Sequence, residues 1–261
     1  MLRPKRLNPR RTVRTTAVLA GLGLALAVGG FAGSTAIGTS ADPHVTSKQI
    51  PNLGIVKNQI KAYYGDTGGK EPTVGSDFWA EVTTVEGKAL KKLPKLIKDA
   101  DASPVLVFDV DDTTLSTYNY EVTHDFGYDP VENAEYIHEH GMGPIFGMVS
   151  FSQYATNHGA TVYYLTGRPE TQRADTERDL LAAGYPNVTD ASLFMRNRDN
   201  PPDYLPCEPT CTTIQYKSLT RQHIESLGYD IVMDLGDQYS DLEGGFTDST
   251  VKIPNPMYFL P

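Results

Sequence analysis

Two aspartates follow a short apolar segment and are the residues most suggestive of chemistry. Residues 105–108 form the continuous apolar run typical of a buried strand, and Asp109 and Asp111 come where that strand would end. Burying a carboxylate is costly unless a cation or hydrogen bonds compensate it, so this placement indicates a metal site or a catalytic pair. Strand termination and helix capping are the structural alternative. A calcium loop is excluded, because its sixth position would be Thr114 and its twelfth Tyr120.

Three more polar clusters lie farther along the chain. They are Thr166, Gly167 and Arg168 after the apolar residues 161–165, Lys217, and Asp237 with Asp241 after the apolar residues 231–233. Taken singly, each has an ordinary structural reading: a turn, a surface lysine, or caps of a short helix. Taken together they suggest one site, because the carboxyl ends of parallel strands meet at the same edge of a sheet.

The elements that position these clusters alternate between strands and helices. Strands separated by helices imply right-handed crossovers, so the sequence predicts an α/β fold with a Rossmann-like parallel sheet and helices on both faces. Apolar spacing predicts helices over residues 46–64, about 77–99 and 170–183, and further strands over residues 192–195 and 250–253.

The predicted domains follow from the same pattern. Residues 42–103 form an N-terminal helical extension, and residues 104–261 form the core. Within the core, residues 118–157 leave from the end of the first strand and are rich in aromatic side chains. We predict that they form a small cap over the site.

The first 41 residues have the features of an export signal. They contain six basic residues and no acidic one, and the apolar, Gly/Ala-rich residues 17–32 follow. Small residues at 39–41 would permit cleavage before Asp42. Arg10 and Arg11 are compatible with twin-arginine export as well as with the general secretory route. We therefore expect the mature chain outside the cytoplasm, with no membrane association after cleavage.

The charge balance narrows the classes of partner. The whole chain has a formal charge of −9, and removal of the six leader charges leaves −15 on the remaining 220 residues. A strongly acidic protein is repelled by phosphate backbones and anionic lipids. Neither nucleic acid nor a membrane surface is therefore expected as a main partner.

Both cysteines lie in one proline-rich loop. Cys207 and Cys211 are four residues apart, and a local disulfide is the expected state in an exported protein. Half of a zinc site is the alternative, but no second ligand pair follows at suitable spacing.

The order and context of the clusters resemble the four motifs of the haloacid dehalogenase superfamily of phosphohydrolases. The downstream segments resemble more narrowly the class B-type acid phosphatases related to plant vegetative storage proteins. The segments that carry this second resemblance are residues 216–218, Arg221, and residues 227–229, 236–242 and 252–258.

The resemblance implies hydrolysis of small phosphomonoesters. Asp109 would be the nucleophile that forms an aspartyl-phosphate, and Asp111 would protonate the leaving alcohol and then activate water. Asp109, Asp237 and the main-chain carbonyl of Asp111 would bind the metal. Oxygen ligands alone favour Mg²⁺, whose charge offsets the repulsion between a carboxylate and a phosphate ester.

The remaining site residues would serve the phosphoryl group or support other residues. Thr166 and Gly167 would bind it, and Lys217 would neutralise its charge. Asp241 would orient Lys217 or a metal-bound water. Arg168 would either contact substrate or pair with an acid in the site.

Two alternatives remain open at this point. A non-catalytic storage or binding protein could share the fold, although the nucleophile position is retained here. A phosphotransferase acting on alcohol acceptors would use the same residues. The chain also departs from the family that it resembles at Asp112, where glutamate is frequent, and at Thr117, where related exported phosphatases often have asparagine. These changes bear on leaving-group preference.

Overall fold

The computed structural model describes residues 50–261, so the predicted export signal lies outside the described residues. Five parallel strands form one sheet in the order β3-β2-β1-β4-β5. The strands are β1 Ser103–Phe108, β2 Thr161–Pro169, β3 Leu193–Arg196, β4 Tyr229–Gly236 and β5 Thr250–Lys252. The predicted parallel α/β sheet is confirmed.

Helices cover both faces of this sheet, as predicted. They are α1 Leu53–Tyr64, α2 Asp77–Asp99, α3 Tyr118–Thr123, α4 Pro130–Glu139, α5 Met148–Asn157, α6 Arg173–Ala183, α7 Thr213–Ser226 and α8 Tyr239–Leu242. Alternate residues of β1 enter two separate apolar cores. Leu106 and Phe108 pack with α1, α2 and α5, whereas Val105 and Val107 pack with α7. Burial on both faces explains why residues 105–108 of β1 are all apolar.

The central strand fixes the position of Asp109. Val105 pairs with Thr161 of β2 and with Ile231 of β4, and the backbone N–H of Asp109 still donates to Leu235 at 2.9 Å. The Asp109 side chain therefore lies where the strand pairing ends, at the carboxyl edge of the sheet.

Two element boundaries differ from the prediction. The first predicted helix covered residues 46–64, of which 46–49 lie outside the described residues. Helix α1 begins at Leu53 because Asn52 caps it, its side chain accepting from the N–H of Ile55 at 3.3 Å. Strand β2 continues to Pro169 instead of ending at Leu165, with a shift of register against β3 between these two residues.

Other boundaries agree more closely. Helix α2 has the predicted bounds, and the predicted helix over 170–183 is a short 3₁₀ turn at Glu170–Gln172 followed by α6. Residues 118–157 contain α3, α4 and α5. None of the helices within residues 50–261 is long and apolar enough to span a bilayer.

Cys207 and Cys211 form a disulfide, as the sequence predicts. It closes a small ring in the segment between β3 and α7.

Replacing both cysteines by serine is expected to loosen this segment without unfolding the domain. Closing so short a ring removes little entropy from the unfolded chain, which corresponds to about 2 kcal/mol of stability. We expect a modest fall in the thermal unfolding midpoint and faster proteolysis within residues 197–212. Unfolding of the whole domain in the serine variant, or two free thiols in folded, exported wild-type protein, would contradict this prediction.

Candidate active site

Asp109 lies in a buried cluster of acids at the carboxyl edge of the sheet. Carboxylate oxygens of Asp109, Asp237 and Asp241 all lie within 4.8 Å of one another. Burial raises the pKa of Asp109 well above its ordinary value, and the charge of Asp241 raises it further. Burial, followed by Asp241, likewise raises the pKa of Asp237 to about 7.

Lys217 is the buried cation in contact with this cluster. It lies on α7, and its Nζ is 2.5 Å from Asp109 Oδ1 and 3.1 Å from Asp241 Oδ1. The same Nζ donates to the Leu165 carbonyl. The contacts hold Lys217 between the nucleophile candidate and the strand end that carries Thr166. The surface reading of this lysine is wrong, because its side chain is only 3% exposed.

The acid cluster fits a hard divalent cation. Three buried carboxyl groups lie together beside Lys217, and burial and their mutual repulsion raise the pKa of Asp109 and Asp237. A bound cation would relieve this repulsion. All the candidate ligand atoms are oxygens, which suits Mg²⁺ better than zinc.

Hydrogen bonds fix the orientation of Asp237. Its Oδ2 accepts from Gln238 Nε2 and from Asn255 Nδ2, each at 2.7 Å. Thr113 Oγ1 lies 3.4 Å from Oδ1. Sequence reasoning had not assigned these three partners, although Gln238 and Asn255 fall inside segments that carried the family resemblance.

Asp241 is oriented by the turn that precedes it. Its Oδ2 accepts from the backbone N–H of Gln238 at 3.0 Å, which leaves Oδ1 for Lys217. A Cβ at Gly236 would lie 2.5 Å from the Cβ of Asp241, so only glycine allows this close approach.

Arg168 pairs with Asp111, one of the two roles that its sequence context allowed. Nη2 is 2.7 Å from Asp111 Oδ1 and Nε is 3.0 Å from Oδ2, the fork geometry of a bidentate pair. Arg168 Nη1 also donates to Thr176 at 3.0 Å. The arginine is buried, whereas the Asp111 side chain is 30% exposed. Asp111 is therefore held in a defined orientation at the open side of the site.

Thr166 and Gly167 end the regular part of β2. The Thr166 hydroxyl accepts from the N–H of Arg168 at 3.1 Å, which leaves its own proton available for another acceptor. Gly167 is exposed, and a Cβ there would meet nothing within 4 Å. Packing therefore does not explain this glycine.

Two other acids have structural partners. Asp112 accepts from the N–H and hydroxyl of Thr117 and from the Tyr258 hydroxyl at 2.8 Å, which ties the loop after β1 to the C-terminal segment. Burial raises the pKa of Asp112 to about 7 against the lowering effect of these hydrogen bonds. Asp234 pairs with the fully buried Arg221 at 2.8 Å.

Comparison with known proteins identifies relatives of this chain. The model of the HAD superfamily, subfamily IIIB (acid phosphatase), matches residues 35–261. Acid phosphatase 1 of Solanum lycopersicum is 33% identical over 196 residues, which cover 73% of this chain and 72% of that protein. Vegetative storage protein 1 of Arabidopsis thaliana is 24% identical over 221 residues, 83% of this chain and 76% of that protein.

A solved structure extends the likeness to the fold. The class C acid phosphatase from Bacillus anthracis superposes with a TM-score of 0.60 at 21% identity, covering 78% of this chain and 86% of that one. The family model matches residues 35–261, which include every residue that the structure describes, and the tomato relative is 33% identical. The protein therefore belongs to subfamily IIIB of the HAD superfamily, the acid phosphatases.

Proposed function

We propose that this acid phosphatase is exported, requires Mg²⁺, and hydrolyses small phosphomonoesters through an aspartyl-phosphate on Asp109. The observation that carries the proposal is the position of Asp109. Its carboxylate contacts Lys217 and lies in one buried acid cluster with Asp237 and Asp241. Attack on an anionic ester needs this combination of a nucleophile and neighbouring positive charge.

Mg²⁺ would be held by Asp109, Asp237 and the main-chain carbonyl of Asp111. When bound, it would offset the negative charge of the phosphoryl oxygens. Asp241 supports Lys217 in this scheme, as their 3.1 Å contact suggests. Orienting a water held by the metal would be its alternative task.

The first chemical step forms a bond between an Asp109 oxygen and phosphorus and breaks the bond from phosphorus to the ester oxygen. Asp111 gives its proton to the departing oxygen, so the leaving group departs as an alcohol. Thr166 donates its hydroxyl proton to a phosphoryl oxygen, and the backbone at Gly167 binds beside it. Lys217 balances the charge on the phosphoryl group.

The second step returns the enzyme to its starting state. Asp111, now a carboxylate, takes a proton from water as the water oxygen attacks phosphorus. The bond between phosphorus and Asp109 breaks, which releases inorganic phosphate and leaves Asp109 as a carboxylate. The fork between Arg168 and Asp111 would keep the carboxyl group in one orientation for both proton transfers.

The two alternatives make different demands on the site. A storage protein needs no catalytic constellation, yet Asp109, Asp111, Thr166, Lys217 and Asp237 are all retained. A phosphotransferase would share every one of these residues. Measuring transferred phosphate against released phosphate, in the presence of an alcohol acceptor, separates transfer from hydrolysis.

Chelation is expected to abolish turnover, and Mg²⁺ is expected to restore it. The measurement is phosphate release from 4-nitrophenyl phosphate by folded protein after exhaustive dialysis against a chelator, with metal content determined in parallel. Asp237→Asn should weaken the restoration by Mg²⁺, whereas Asp190→Asn, a change at an exposed aspartate, should not. Full activity of metal-free protein would contradict the metal requirement. Absence of turnover with every divalent cation would favour the storage alternative.

A further inference from the structure

The disulfide loop, residues 197–212 between β3 and α7, encloses a buried charge. Glu208 lies between Cys207 and Cys211, and its side chain is completely buried. Its Oε1 accepts from Arg196 Nε at 2.6 Å. Arg196 Nη2 donates to the carbonyl of Cys211. Both acceptors of this arginine therefore belong to the ring that the disulfide closes.

Arg196 connects the disulfide loop to the part of β2 that contains Thr166. Its guanidinium lies over the ring of Tyr216, 5.2 Å from the centroid. The Tyr216 hydroxyl donates to the carbonyl of Thr166 at 2.9 Å. A continuous series of contacts thus joins Glu208, Arg196, Tyr216 and Thr166.

The last contact falls where β2 lacks regular support from β3. The register between these strands shifts between Leu165 and Pro169, so the backbone at Thr166 departs from the regular ladder. Two consecutive residues of α7 hold this segment instead. Tyr216 binds the Thr166 carbonyl, and Lys217 binds the Leu165 carbonyl.

Packing alone does not account for this polar series. It passes through an apolar core that includes Val107, Leu165 and Ile224. Burying an ion pair such as Glu208 with Arg196 carries a desolvation cost that apolar side chains would avoid. Unlike apolar contacts, these polar contacts depend on orientation, so each group fixes the orientation of the next.

We propose that Arg196 is a positioning residue through which the closed disulfide loop sets the affinity of the site for the phosphoryl group. Arg196 fixes the ring of Tyr216, and Tyr216 fixes the backbone of Thr166. The inference rests on the proposed function, in which Thr166 binds a phosphoryl oxygen. Asp109 and Asp111 follow β1 and lie outside this series of contacts, so the bond-making step depends on it less.

The expected signature is a change in binding with little change in turnover. A contact made equally in the bound substrate, the transition state and the bound product alters KM and the inhibition constant of phosphate but not kcat. The test uses the Mg²⁺-loaded full-length protein, with 4-nitrophenyl phosphate as substrate and inorganic phosphate as competitive inhibitor.

Tyr216→Phe is the central variant, because it removes one hydroxyl and keeps the ring. We expect the inhibition constant of phosphate to rise about 3- to 10-fold, the size of one lost hydrogen bond, with kcat within about 2-fold of the wild type. Arg196→Lys and the double change Cys207→Ser with Cys211→Ser should shift the constant in the same direction.

Tyr164→Phe is the matched control, because its buried hydroxyl also donates to a carbonyl, that of Pro186 at 2.6 Å, on the opposite face of the sheet. It should lose stability but leave phosphate inhibition unchanged.

Each outcome bears on a separate claim. Equal phosphate inhibition in Tyr216→Phe, Tyr164→Phe and the wild type would overturn the positioning role, and so would unchanged inhibition in folded protein that lacks the disulfide. If the serine variants fail to fold, Tyr216→Phe decides the question. A wild type that neither releases phosphate nor is inhibited by it would overturn the proposed function itself.

Discussion

Replacing Asp109 by asparagine is expected to reduce phosphate release to background for every substrate. The amide cannot form the aspartyl-phosphate, and the change also removes one proposed metal ligand. Loss of a covalent nucleophile lowers turnover on the order of 10⁴-fold or more. The measurement is phosphate release from alkyl and aryl phosphates at saturating Mg²⁺.

The stability of the same variant provides its control. Asparagine keeps the shape of the side chain and removes one charge from the cluster with Asp237 and Asp241. Lys217 retains its contact with Asp241. We therefore expect the metal-free variant to unfold at no lower temperature than the metal-free wild type, which would separate lost chemistry from lost structure. Turnover above about 1% of the wild type on any substrate would contradict a nucleophilic role for Asp109, since such a role predicts a far larger loss.

The sheet could be predicted because its signals are local. The apolar run before Asp109 and the alternation of strands with helices suffice for a parallel sheet with its polar clusters at one edge. The start of α1 was misplaced because the apolar spacing continues back to Ile50, whereas the Asn52 cap decides where the helix begins. The end of β2 was misplaced because residues 166–169 read as a turn, yet pairing with β3 resumes at Pro169.

The partners within the site were harder to predict because they depend on contacts between distant segments. Asn255 reaches Asp237 because the segment after β5 stays beside the end of β4, where the N–H of Ile253 donates to the Gly236 carbonyl. The choice of Asp111 as the partner of Arg168 spans 57 residues of sequence. Tyr216 lies in a segment that carried the family resemblance, but nothing in the sequence distinguishes a positioning role for it or for Arg196 from ordinary packing. Their contacts are visible only in the folded chain.

Replacing Asp111 by asparagine is expected to affect alkyl and aryl esters to different extents. The variant keeps the main-chain carbonyl that is proposed as a metal ligand, so Mg²⁺ should still bind. It loses the proton donor, which should cost roughly 10²- to 10⁴-fold in phosphorylation by an alkyl ester with a poor alkoxide leaving group. An aryl ester should lose much less, because its phenolate departs with little protonation.

Steady-state rates would hide this difference, because the variant also lacks the base that activates water in the second step. The phosphoenzyme should therefore accumulate with the aryl ester, and the rate of the pre-steady-state burst is the measurement that isolates the first step. Rapid-quench experiments on this variant, with glycerol phosphate and with 4-nitrophenyl phosphate as substrates, would give the phosphorylation rate for each ester. If the burst slows equally for the two esters, Asp111 is not the general acid, and the fork with Arg168 would serve only to shape the site.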